Sequence, residues 1–290
     1  MSSYPINDGP PLLEQHRTPA LSPWAVVALL FLFFLVDIVI ASAVEARDTI
    51  PGGIVVGIVF SQIVLFATWA ALGPASVFVR TLGGSVAAVL VSLALVSCIR
   101  NSGVPGEEFL WFGIAMVQWA GIQIPLWALR AGFGWRLSWP YEKQGDSALA
   151  NEMQFGIRQL MAWTALLGLT LGTGRLLLPA EGGELGGADA VRVFCVITCY
   201  NCLLAWPIVW LTLTRFLSWP VCLMGIVACC VGITLAEVAT LHAVIGRSGG
   251  SLFLGFVNAI QTFFASISLV ALRRSGFQLL RTRIQLPQPK

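Results

Sequence analysis

The stretch Ile54–Leu72 reads IVVGIVFSQIVLFATWAAL, 19 residues without a charge and with a single amide, Gln62. About 20 apolar residues form an α-helix long enough to cross the hydrocarbon core of a bilayer. Runs of this kind recur along the whole chain, and their recurrence limits the fold more than any other feature. In lipid, backbone N–H and C=O groups are satisfied only within helices or closed barrels, and continuous apolar runs of this length are helical. Composition agrees: 57% of the 290 residues are hydrophobic, 11% are charged, and the mean hydropathy is +0.82. Such a chain cannot present the water-facing surface of a soluble domain. The expected class is an all-α integral membrane protein.

Eight spans are expected, near 22–44, 54–72, 82–99, 109–129, 155–178, 191–214, 219–241 and 250–272, with the third the shortest in its apolar core. Gly and Pro punctuate them, as in PGG at 51–53 and EGGELGG at 181–187. The opening MSSYPINDGPPLLEQHRTPA is polar and Pro-rich, so the first apolar run is expected to stay in the protein as a helix. With the N-terminus inside, twelve of the 17 basic residues fall on the inner side, and Arg47, Arg100, Arg175, Arg192 and Arg247 on the outer. The excess of Lys and Arg on cytoplasmic loops then puts both termini in the cytoplasm, in the manner of a bacterial inner-membrane protein. Seven spans would separate the termini and spoil this asymmetry.

Two segments close on nearly the same phrase: ALRAGF at 128–133 and ALRRSGF at 271–277. An offset of 143 residues aligns Arg130 with Arg273 and Gln118 with Gln261, near the middles of the fourth and eighth spans. The second and sixth spans each carry one central amide as well, Gln62 and Asn201, and each is followed by a lone Arg, Arg80 or Arg215. Spans that correspond four apart share their orientation, the pattern of a parallel duplication. The expected organisation is a cytoplasmic tail (1–21), a four-helix repeat (22–129), an interfacial linker (130–154), a second four-helix repeat (155–272) and a basic cytoplasmic tail (273–290). The four amides Gln62, Gln118, Asn201 and Gln261 form a candidate midplane polar site. Each is expected to turn inward, since an amide without partners in hydrocarbon is costly.

The fifth span opens QFGIRQLMAWTALLGLTLG at 154–172. This resembles a group of uncharacterised bacterial multi-pass membrane proteins whose helix begins F-S-I/L-R-x-L and continues with Thr and small residues. Phe155, Ile157, Arg158, Leu160 and Thr164 match, and Gly156 stands for the usual Ser. The resemblance implies a multi-pass membrane protein and brings no activity with it. Arg158 is a candidate cytoplasmic anchor, reading either as a positive-inside contact or as a docking point for a lipid phosphate or a protein.

Two carboxylates fall within spans, Asp37 and Glu237. Intramembrane acids are costly and face a protein interior or a wet cavity. Both are expected in the outer half, with Glu237 the nearer to the outer interface. Enzyme motifs lack their complements. GRSG at 246–249 has the letters of a rhomboid-like serine nucleophile but no later His, and Glu107–Glu108 resembles the paired glutamates of CAAX-type membrane proteases without the following Arg or the later His ligands. Cys195, Cys199 and Cys202 share a helix face, but no neighbouring charge would hold a thiolate, so they read as small packing residues. No metal or other cofactor is expected, and a net charge of +3 does not suggest nucleic acid. The expected partners are the bilayer and, at the cytoplasmic face, an anionic lipid or a protein. The reading these features favour is a non-catalytic structural or regulatory membrane protein. Its alternative is a small-solute transporter or permease with a polar site between the two repeats.

Overall fold

A computed structural model describes residues 49–73, 76–100, 107–138, 187–213, 218–246, 251–274 and 277–281. Six helices are described: α1 (Thr49–Leu72), α2 (Val77–Arg100), α3 (Glu107–Phe133), α4 (Gly187–Leu213), α5 (Trp219–Ile245) and α6 (Ser251–Arg274). All six are long and apolar enough to cross a membrane. They correspond to the second, third, fourth, sixth, seventh and eighth expected spans. The third, expected as the shortest, is a helix of 24 residues. The spans expected at 22–44 and 155–178, together with Asp37, Arg158 and the QFGIRQL opening, lie outside the described residues.

Local chemistry sets several of the helix ends. α5 starts after Ser218 with Pro220 in its first turn, where a missing N–H costs nothing, and stops at Gly246, whose φ of 71° only a residue without a side chain adopts freely. Gly134, at φ 67°, likewise ends α3 and turns the chain into a strand. That strand, β1 (Trp135–Ser138), pairs antiparallel with β2 (Gln278–Arg281), so Trp135 faces Arg281 and Ser138 faces Gln278. The ribbon lies in segments expected to be a linker and a tail. It joins the two near-identical phrases, since the second ends immediately before β2 and the first one residue, Gly134, short of β1.

Contacts define the helix directions. Gly53 and Gly57 of α1 lie against Phe256 and Ile260 of α6, and Gly113 and Gly121 of α3 lie against Phe194 and Cys202 of α4. The residue numbers rise together on both sides of each interface, so α1 runs parallel to α6 and α3 parallel to α4. At the C-terminal ends, Arg130 of α3 donates to the Gly73 carbonyl that follows α1, and Arg273 of α6 to the Thr212 carbonyl of α4. All four helices therefore run the same way. α2 and α5 run back along their outer sides, as the approaches of Gly84 to Ala70 and of Tyr200 to Thr240 show.

α1 packs on α6 more extensively than any other pair of described elements. Its G53-x-x-x-G57 spacing is the reason: a methyl group on Gly57 would lie 2.8 Å from Cβ of Ile260, closer than side chains tolerate. At the centre, the Trp111 ring of α3 meets Phe60 of α1 at 6.2 Å and Phe253 of α6 at 5.6 Å. The outer faces stay apolar. Phe78, Leu82, Val86 and Leu90 repeat at every fourth residue down α2, all exposed, which is a surface a bilayer solvates and water does not.

Candidate functional site

The candidate amides are buried, and their depth follows from the helix ends. Gln62 precedes Gly73 by 11 residues and Asn201 precedes Thr212 by 11, while Gln118 precedes Arg130 by 12 and Gln261 precedes Arg273 by 12. At 1.5 Å per residue, all four lie about 17 Å from the sealed ends, near the middles of their helices. Lateral contacts agree: the Gln118 carbonyl accepts from Cys202 Sγ at 3.8 Å, so Gln118 is level with Asn201.

Depth alone does not bring the four together; rotation about each helix decides. Gln118 lies seven residues, two turns, from Trp111 and shares the face that meets α1 and α6. Gln261 sits on the arc of α6 between the α1 contact at Ile260 and the α5 contact at Asn258, opposite the exposed Phe263. Asn201 lies midway between Tyr200, which meets α5, and Cys202, which meets α3, and opposite the exposed Leu203. These three are turned to the interior of the helix packing. Gln62 is about 160° round α1 from Phe60 and about 140° from Gly57, the residues that touch α3 and α6. All four are buried, as an inward orientation requires, and Gln62 lies on a different arc of α1, because the α1 face that closes on α6 is the glycine face.

Among the described residues, neither polar atom of the Gln118 or Gln261 side-chain amide has a hydrogen-bond partner, and Asn201 Oδ1 has none. Asn201 Nδ2 donates to its own helix, to the Ile197 carbonyl at 2.8 Å. Gln123, one turn beyond Gln118, likewise donates to the Trp119 carbonyl at 3.3 Å.

Glu237 is expected as an intramembrane acid facing the protein interior or a cavity. It is fully buried, and the contact of Tyr200 with Thr240 brings this part of α5 beside the part of α4 that carries Asn201. Asn258 Nδ2 donates to Glu237 Oε2 at 2.7 Å and to Thr234 Oγ1 at 3.0 Å. Neither Asn258 nor Thr234 stood out in the sequence. Their only signal was a second polar residue one turn from Gln261 and another one turn from Glu237.

At the C-terminal ends lies a basic constellation that sequence reading took only as a topology signal. Arg80, fully buried, and Arg130 both donate to the carbonyls of Ala71 and Gly73, and both guanidinium groups lie over the Trp127 ring, at 5.3 and 5.7 Å. Among the described residues no group of three or more His, Cys, Asp or Glu is placed to hold a metal ion. Cys195 and Cys199 are exposed, and Cys202 is half-buried against Gly121. The side chains of Glu107 and Glu108, and residues 247–249 of the GRSG stretch, lie outside the described residues.

The molecule is a multi-pass α-helical membrane protein. Compared with known families, with curated proteins and with solved structures, the chain gives no match.

Proposed function

We propose that the chain is a non-catalytic carrier for a small polar solute, built from two parallel four-helix repeats, with its binding site at the centre of the amide layer. The carrying observation is that Gln118 and Gln261 are both fully buried while their amide atoms lack partners among the described residues. An amide that serves only to join helices finds a group on a neighbouring helix, and a buried amide left unmet costs about 1–3 kcal/mol. A solute with donors and acceptors would supply what is missing.

Three observations support the repeat. Setting α1, α2 and α3 on α4, α5 and α6 exchanges the α1–α6 contact with the α3–α4 contact, and the Arg130–Gly73 bond with the Arg273–Thr212 bond. An antiparallel two-stranded ribbon is itself twofold, and β1 and β2 coincide at the 143-residue offset. Finally, α3 and α4 run the same way, and the sequence between them holds an apolar run, 155–178, of the length that a return span requires. Arg80, Arg130, Arg136 and Arg273 gather at the ribbon end while Arg100 and Arg192 mark the other. The positive-inside rule then turns the ribbon toward the cytoplasm of a bacterial cell, where anionic lipid or a protein would meet it.

The test is a thermal-shift screen of uncharged and zwitterionic polar solutes on the protein in nanodiscs, followed by liposome uptake of those that stabilise it. Gln118→Leu and Gln261→Leu should abolish both responses and Gln62→Leu should keep them. If the double variant Gln118→Leu/Gln261→Leu responds as the wild type does, the reading fails. A structural role is the second reading, and the sealed helix ends and the ribbon that straps the two halves favour it.

A further inference from the structure

A carboxylate in a low-dielectric interior is stable only when its charge is met. Glu237 is fully buried, one of its oxygens accepts from Asn258, and the other has no partner among the described residues. The described cations lie elsewhere: Arg192 near the head of α4, Arg273 and Arg274 at the far end of α6. Among the described residues, the groups packed around Glu237 are neutral. From α6 comes Asn258, from α4 the titratable Tyr200, whose hydroxyl is bonded to Thr240, and along α5 itself Cys229, Cys230 and the exposed His242.

Asn258 organises the place. Its Nδ2 spends one proton on Glu237 Oε2 and the other on Thr234 Oγ1, so it holds the carboxylate and the hydroxyl together across two helices. The result is one carboxyl group among neutral oxygens, with one of its oxygens unmet among the described residues. Divalent cations are held by several carboxylates or carbonyls, and a single carboxylate matches a single positive charge. The first half has no counterpart: α2 contains no acid, and Ala115 stands where the 143-residue offset would place Asn258.

We propose that Glu237, Thr234 and Asn258 form a binding site for a monovalent cation, either an alkali ion or a proton, in the second half of the molecule. The site is separate from the central amides. In a carrier it would couple the solute to an ion gradient, and that consequence rests on the reading above; the binding itself does not.

The experiment uses the full chain in nanodiscs with no solute added, so its failure is distinguishable from failure of the carrier reading. Thermal stability is followed against sodium, potassium and lithium chloride at constant ionic strength, and separately against pH at constant sodium, for the wild type, Glu237→Gln and Asn258→Ala. Infrared difference spectra between wild type and Glu237→Gln report the carbonyl stretch of a buried carboxylic acid. An alkali-ion site gives a saturable stabilisation by one of the three ions that Glu237→Gln abolishes and Asn258→Ala weakens. A proton site gives no alkali response, a carboxylic-acid band lost in Glu237→Gln, and a pH response lost with it. A wild type indifferent to all three ions and without that band overturns the proposal. So does an alkali-ion response that survives in Glu237→Gln. Should Glu237→Gln fail to fold, the same ion and pH series on the wild type and Glu237→Asp decides, because both retain the carboxylate and neither should be indifferent to every cation.

Discussion

Arg273 near the end of α6 donates through Nη1 to the carbonyl of Thr212 near the end of α4, at 3.2 Å. The bond ties two helices of one half where their terminal carbonyls have no N–H of the helix to accept from. Arg130 does the same for Gly73, at 3.3 Å, and for Ala71, at 3.1 Å. Hydrogen bonds from a charged donor contribute about 1.5–3 kcal/mol. Arg130→Ala and Arg273→Ala should each lower stability by that order in denaturant titrations of the reconstituted protein. The two sites lie in different halves, so the double variant should show the sum of the single losses. A change of only a few tenths of a kcal/mol in both would show that the bonds do not hold the ends.

The glycine face of α1 should be sharply intolerant. Gly57→Ala puts a methyl group 2.8 Å from Ile260 Cβ and 2.8 Å from the Val257 carbonyl, so α1 and α6 must move apart, at a cost of about 1–3 kcal/mol. Gly232→Ala on α5 meets nothing within 4 Å, and it should leave the melting temperature unchanged or raise it slightly. Equal behaviour of the two variants would contradict the α1–α6 packing.

The ribbon can be tested by cross-linking. In a version of the chain without its seven native cysteines, Leu137→Cys with Leu279→Cys are Cα partners and should form a disulfide under mild oxidation. Leu137→Cys with Arg281→Cys should not, being two residues out of register. Cleavage of the chain between α3 and α4 followed by non-reducing electrophoresis reads the result: one band for the paired positions, two for the others.

Amides of opposite standing should respond oppositely to the same change. Gln261→Leu removes a buried group unmet among the described residues, and without solute it should be neutral or stabilising. Asn258→Leu strips Glu237 Oε2 and Thr234 Oγ1 of their donor and should cost at least about 2 kcal/mol. Thermal melts of the two variants side by side check it, and a Gln261→Leu variant as damaged as Asn258→Leu would show that Gln261 is engaged as helix-joining glue.

Much of this architecture can be read along one dimension. A run such as Ile54–Leu72 announces its solvent by composition and its length by the thickness of a bilayer, so six described helices fall where apolar runs lie, each displaced by a few residues at its ends. Depth follows in the same way, because every residue adds about 1.5 Å along a helix. Counting back from Arg130 or Arg273 therefore puts Gln118 and Gln261 in one layer. Even the G53-x-x-x-G57 contact was visible as spacing, since small residues four apart mark a face that another helix can approach.

Rotation and partnership were not visible, and the reason is the solvent. A soluble helix advertises its buried face by contrast with water, whereas a helix in lipid is apolar on the side that packs and on the side that meets acyl chains. Nothing in the local sequence around Gln62 distinguishes it from Gln118, yet packing sets the first away from the α1 residues that meet α3 and α6 and the second on the face of α3 that meets α1 and α6. Glu237 reads toward the outer interface from its position along its span alone. The group that holds it, Asn258, lies 21 residues away on another helix, and only the packing of α5 on α6 brings the amide to within 2.7 Å of the carboxylate.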